Sequence, residues 1–258
     1  MLLNSVIFIL REVLEASLII SVLLALSQNQ GLSKGWLKPA VLLGLTLAGV
    51  YASQLINISA YFEGVGQEVI NAGLHILIYG FILLIIVLLK YPSTKQSVIF
   101  FMTGCVIAAS IREGSEVIIY LTGFMSTPDL FPSVVMGSII GSGIGISIGV
   151  LFYYLIAYVR FELGMLLGLG LLVLIGGGMV SQTIQLLTQA DFISSQSALW
   201  DSSFIVDERS LFGQLLYALI GYESTPSFVQ VVCYVVSVLL AAFSTLSTFT
   251  SLRVRENA

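Results

Sequence analysis

The sequence predicts an all-α integral membrane protein: seven transmembrane helices, arranged as an inverted 3+3 repeat (spans 1–3 and 4–6) plus a final helix. Three observations predict it. The composition is 57% hydrophobic and only 9% charged, against about 25% charged in an average soluble domain, so the charges are too few to cover a water-facing surface. Seven apolar runs, each near the ~20 residues that span a bilayer core, consume nearly the whole chain. Finally, two of those runs carry the same charged pattern, Arg-Glu-x-x-Glu, at residues 11–15 and 112–116.

The runs cover roughly 2–27, 37–58, 70–89, 97–122, 133–158, 163–187 and 227–250. Helix is required for spans of this length, because their backbone groups must be satisfied internally. The first run opens "MLLNSVIFIL", with no basic n-region, and charges interrupt it before any small-residue cleavage site; it reads as a retained span rather than a signal peptide. "SQNQGLSKGWLKP" leads to the second run. The third holds the single histidine, His75, in "NAGLHILIY", where hydrogen-bonded packing is the commoner role. "KYPSTKQ" leads to the fourth. The fifth and sixth contain "GSIIGSGIGISIG" and "GLGLLVLIGGG". These lack the strand-turn-helix setting and the lysine of a nucleotide loop, and small residues let membrane helices approach closely. Cys105 and Cys233 each lie inside an apolar run, without disulfide or metal spacing, and read as packing residues. The chain is thus one transmembrane domain, 1–258: repeat one about 1–90, repeat two about 97–187, an outer loop about 188–225 and the last span about 227–250.

Orientation follows from the basic residues. Lys34, Lys38, Lys90, Lys95, Arg160, Arg253 and Arg255 fall on one side, and only Arg209 on the other. The positive-inside bias puts the N-terminus outside and the C-terminus in the cytoplasm. The 188–225 loop is then outside; it carries Asp191, Asp201, Asp207, Glu208 and Glu223, which a merely solvated loop would also show.

The two motifs, "REVLE" and "REGSE", start 101 residues apart, in the first and fourth spans. Three spans separate the starts, so the copies cross in opposite directions, as in transporters built from inverted repeats. Within each copy the glutamates are three residues apart, on one helical face, and the arginine is four before the second glutamate, close enough to pair. Each charge at mid-span costs about 2.5–3.5 kcal/mol on insertion scales, so Arg11, Glu12, Glu15, Arg112, Glu113 and Glu116 must face one another or water. Pure scaffolding is the plain alternative, but buried pairs are weak stabilisers. Moreover, two arginines leave four glutamates with two negative charges in excess, which calls for a cation or altered protonation. Carboxylates suit hard ions rather than copper(I). Iron, manganese, calcium and magnesium all remain open on this chemistry.

These residues resemble the oxidase-dependent iron permease family, the high-affinity iron permeases of fungi and their bacterial relatives, whose signature is a pair of Arg-Glu-x-x-Glu motifs in the first and fourth of seven spans. "YFEGVGQE" at 61–68 is similar to the family's aromatic-Glu-Gly element and points to Glu63. "LFGQLLYALIGYESTPSFVQVVCYV" at 211–235 is similar to the bacterial members' approach to the last span. The chain lacks the long cytoplasmic tail of fungal members and a fused N-terminal extracytoplasmic domain, which fits a bacterial type. The resemblance implies that Glu12, Glu15, Glu113 and Glu116 handle iron during translocation, with Arg11 and Arg112 holding them in place. It makes Glu63, with Glu68 beside it, a candidate entry or accessory residue on the outer side; Asp207 and Glu208 of the acidic outer loop are candidates for the same role by position. It also implies iron as substrate rather than as a permanently bound cofactor. The location would be the cytoplasmic (inner) membrane. An extracytoplasmic partner, a multicopper oxidase or a haem or cupredoxin-type protein, would oxidise or deliver the iron, leaving it ferric. Nucleic acid has no place in this reading, nor has enzymatic activity.

Two rivals belong to other classes. A carboxylate-bridged di-iron enzyme wants Glu-x-x-His elements from two helices, which one histidine cannot supply. A proton-conducting or structural membrane subunit, with the glutamates as a relay, is separated by metal-dependent flux; within transport, the alternative substrates, chiefly manganese or lead, are separated by competition.

Overall fold

The computed structural model describes residues 1–61 and 64–256. Among them the helices are α1 (Leu2–Asn29), α2 (Leu37–Ser53), α3 (Leu55–Ala60), α4 (Gly66–Leu88), α5 (Lys95–Gly123), α6 (Phe131–Ala157), α7 (Phe161–Gln189), α8 (Leu211–Ile220) and α9 (Phe228–Glu256). Apart from a short 3₁₀ helix at Pro92–Thr94 and an isolated bridge between Ala198 and Ser227, the described residues outside these helices are turns and loops.

By length and composition five helices can cross a membrane: α4, α5, α6, α7, and α9 over Phe228–Thr250. The first apolar run forms one 28-residue helix whose middle carries three charges. The second run does not stay whole. Its 17-residue α2 stops at Ser53 and the chain restarts as the six-residue α3, where Ser53, Gln54 and Asn57 break the apolar sequence. Seventeen residues make about 25 Å of helix, short of the ~30 Å hydrocarbon core.

The packing is governed by small residues. On α6, Gly137, Gly141, Gly145 and Gly149 form an i, i+4 stripe pressed against α1; a Cβ on Gly141 would lie 2.6 Å from the Val6 carbonyl oxygen, and one on Gly149 2.8 Å from Ser17 Cβ. Ser17 Oγ also donates to the Gly145 carbonyl at 2.9 Å. The other motif-bearing helix, α5, is held the same way against α2: a Cβ on Gly44 would meet Ser110 Cβ at 2.5 Å, and Gly114 of "REGSE" rests on Ala48. The glycine runs therefore serve close helix contact. Besides these pairs, α4 touches α5 and α7, α7 touches α1, α1 crosses α5, and α9 lies on α7 and α4.

Leu14, Leu18, Ile19, Ile78, Ile82 and Met102 are among the fully buried core side chains, while Leu42, Ile139, Ile146, Leu151, Leu239 and Phe243 are exposed. A bundle that buries glutamates and exposes leucines is matched to lipid rather than water. Cys105 is buried in this core, Cys233 is half-buried, and neither is bonded to a partner cysteine.

The 188–225 segment contains α8, a helix too short to register as a span. Ser210 Oγ accepts the Gly213 amide at 3.0 Å at its N-terminus, and Gly221 ends it at φ +66°, a left-handed position that suits glycine. Gly221 also abuts Gly178 of α7, where a Cβ would lie 2.5 Å from Gly178 Cα. That contact ties α8 to the bundle.

Candidate functional site

The two charged motifs meet where α1 crosses α5. Arg112 is at the centre. Its Nη1 lies 3.0 Å from Glu12 Oε2 and 3.9 Å from Glu15 Oε2 and is paired with Glu113, and its Nη2 lies 3.6 Å from Glu116 Oε1. One guanidinium thus touches all four glutamates. Arg11 reaches only the first motif, 3.1 Å from Glu12 Oε1 and 3.8 Å from Glu15 Oε1. The helical spacing puts each arginine near the second glutamate of its own copy, and the helix crossing brings Arg112 onto the other copy.

Burial divides the carboxylates. Glu12, Glu15 and Glu113 are buried, whereas the Glu116 side chain is 19% exposed. Neutral side chains support the set. Tyr51 donates to Asn71 Oδ1 at 3.0 Å and Asn71 Nδ2 donates to Glu116 at 3.3 Å, while Gln182 Nε2 donates to Glu15 Oε2 at 3.3 Å. Glu15 Oε1 and Glu113 Oε1 are buried without a hydrogen-bond partner. The carboxylates converge on Arg112, and among the described residues no three His, Cys, Asp or Glu side chains are disposed to hold a metal ion directly.

A polar cavity of about 330 Å³ leads to this cluster. Arg11, Arg112 and Glu116 line its inner part. Gln67, Glu68, Asn71 and His75 come from α4, Gln182, Gln185 and Gln189 from α7, and Gln214 and Tyr217 from α8, with Glu208 and Glu223 beside them. The Arg11 guanidinium sits 5.1 Å from the Tyr217 ring centre, a cation–π contact that fastens α8 over the cavity.

Of the accessory acids expected from sequence, Glu68 lines the cavity and has Oε2 buried without a partner. Glu208 lines it too and accepts the Ser224 amide. Asp207 does not: it is exposed, and its carboxylate accepts the Arg209 amide at 2.9 Å within the turn before α8. Glu63 lies outside the described residues. Glu223, which sequence reasoning left as loop charge, accepts from Gln185 at 3.2 Å and Gln230 at 2.7 Å. Burial and the neighbouring Glu208 push its carboxyl up to about 7. His75 is fully buried with neither ring nitrogen hydrogen-bonded, so the expected hydrogen-bonded packing is not what it does. Sequence reasoning also missed the amides of α4 and α7. Their spacing is helical, with Gln67, Asn71 and His75 four apart and Gln182, Gln185 and Gln189 three and four apart, but Gln67 and Gln189 fall outside the apolar runs and too few polar positions remain within them to mark a face.

Comparison with known proteins gives one match. The model of the Iron permease FTR1 family covers residues 2–255. No curated protein and no solved structure matches the chain.

Proposed function

We propose that this chain, which belongs to the Iron permease FTR1 family, carries ferric iron inward across the cytoplasmic membrane by way of Glu12, Glu15, Glu113 and Glu116. Family membership makes it a multi-pass membrane iron permease. The observation that carries the finer reading is that four glutamates from two helices lie within 4 Å of one arginine. Arg112 acts there as a tethered counter-ion, occupying the place among the carboxylates that a multivalent cation takes when the arginine moves aside. The two excess negative charges drive that exchange, because a trivalent ion neutralises more of the set than one guanidinium.

Iron reaches the cluster through the cavity, past Glu68, Glu208 and Glu223. The cavity lies at the end of the bundle away from Lys34, Lys38, Lys90, Lys95 and Arg160, which supports an outward-facing mouth and an N-terminus outside. The packing supports a seven-span inverted repeat. Exchanging α1, α2 and α4 with α5, α6 and α7 turns the α1–α6 contact into α5–α2 and the α4–α5 contact into α7–α1, both of which occur. Rocking of one triplet against the other then exposes the site inward. Oxidation belongs to a separate extracytoplasmic protein, of multicopper oxidase, haem or cupredoxin type, that hands over ferric iron.

Radiolabelled iron uptake in cells lacking their own iron transporters tests this. Glu12→Gln and Glu116→Gln, at matched membrane expression, are expected to abolish uptake. Wild-type uptake in either variant refutes the assignment.

A further inference from the structure

His75 has no structural employment. It is 0% exposed and both ring nitrogens lack a partner, although leaving a buried polar group unbonded is destabilising. On the facing helix α7, Gln182 is in a similar state: its nitrogen is used on Glu15, while its oxygen Oε1 is buried and unpartnered. Both side chains line the cavity that ends at Glu116, the one motif carboxylate exposed to it. Asn71, one turn before His75 on α4, holds Glu116 by hydrogen bond. An unpartnered imidazole and an unpartnered amide oxygen on facing helices, next to an accessible carboxylate, put three potential metal ligands around one cavity.

We propose that His75, Gln182 and Glu116 form a nitrogen-containing waypoint in the cavity, ahead of the carboxylate cluster, that selects iron over calcium, magnesium and manganese. The inference rests on the iron-transport reading and deepens it. The four glutamates offer only oxygen, which calcium, magnesium and manganese also accept, so the cluster separates them from iron by charge alone; an imidazole nitrogen adds a ligand that suits iron, zinc, copper and nickel and suits calcium and magnesium poorly. A neutral imidazole presents one lone pair, the Gln182 amide one oxygen and Glu116 a carboxylate, with water completing the shell. Gln182, bonded to Glu15, links this position to the deeper cluster, so an ion leaving the waypoint meets the next carboxylate without crossing apolar wall.

His75 is the chain's only histidine, so protein purified with a histidine-free tag gives an unambiguous readout. Copper(II) is bound as a spectroscopic probe, and pulsed electron paramagnetic resonance is read for imidazole nitrogen. One imidazole per bound copper is expected, lost in His75→Asn. In parallel, iron uptake is measured with calcium or manganese as competitor. Loss of a metal-site partner typically weakens binding about 10–100-fold, so His75→Asn and His75→Gln are expected to let the competitors halve iron uptake at roughly tenfold lower concentration. Bound copper without imidazole signal, or unchanged competition in the His75 variants, overturns the waypoint. Glu12→Gln is run alongside: if it transports iron normally, the iron pathway itself fails, whereas loss of uptake in Glu12→Gln with unaltered selectivity in the His75 variants sinks only the waypoint.

Discussion

Replacing Arg112 by methionine removes the one cation that, among the described residues, touches all four glutamates, while keeping a side chain of comparable length. Among the described residues, the ion pairs of Arg11 reach Glu12 and Glu15 alone, so Glu113 and Glu116 lose their cationic partner and the fully ionised set moves from two excess negative charges to three. Breaking a buried pair by deleting one partner costs about 3–5 kcal/mol. In a chain of this size each kcal/mol shifts the melting temperature by roughly 2–4 °C, so a fall on the order of 10 °C is expected. Thermal unfolding of the detergent-purified protein, followed by intrinsic fluorescence, measures it. Two controls make the test specific. Arg112→Lys should recover part of the loss, since it restores charge without the planar fork. Added ferric citrate should raise the melting temperature of Arg112→Met more than that of the wild type, because the cation fills the place the guanidinium left. A variant that melts within about 2 °C of wild type and gains nothing extra from iron would refute the view of Arg112 as a tethered counter-ion.

Two further outcomes follow from the same geometry. Glu223 holds its proton more tightly folded than unfolded, with its carboxyl raised from 4.5 to about 7; its contribution to stability is full below pH 4.5, declines as pH rises from there to about 7, and is level above. The melting temperature should accordingly drop less between pH 5 and pH 8 in Glu223→Gln than in wild type, and an equal drop in both contradicts this. Gly141→Leu drives a side chain into the Val6 backbone, where even a Cβ would be 2.6 Å from the carbonyl oxygen; overpacking of this kind costs typically about 1–3 kcal/mol. That variant should melt several degrees lower and, because α1 carries the first motif, lose iron uptake, whereas Gly143→Leu, at an open position on the same helix, should do neither.

The helical character and the pairing of the two motifs were legible in the sequence for a simple physical reason. Charges are so costly at mid-span that six of them in two matching patterns had to meet, and Arg11, Glu12, Glu15, Arg112, Glu113 and Glu116 do. The glycine stripe Gly137–Gly149 was legible too, as close packing. What the sequence hid were features with no such cost. The second run reads as one apolar segment, yet the helix breaks at Gln54, because Ser53, Gln54 and Asn57 are too few to interrupt the run on average hydropathy although they suffice to end a helix locally. The ten residues of α8 lie within a stretch that reads as loop, although Ser210 and Gly221 are orthodox cap residues, because a helix that short is marginal alone and owes its stability to Tyr217 and Gly221 docking on the bundle. The sequence singles out His75 but not what it faces, and the α7 amides escape notice because helices that are apolar all round have no face for periodicity to find. Only the third dimension puts Gln182, His75 and Glu116 around one cavity.

The central claim is that iron crosses through the glutamate cluster, and flux through the purified protein tests it most directly. Proteoliposomes holding only this chain, loaded with an iron-quenched fluorophore, are given ferric citrate outside. Iron-dependent quenching is expected in wild type, none in Glu113→Gln, and none when calcium replaces iron. Equal quenching in wild type and Glu113→Gln would contradict it, and the six buried charges would then be scaffold alone.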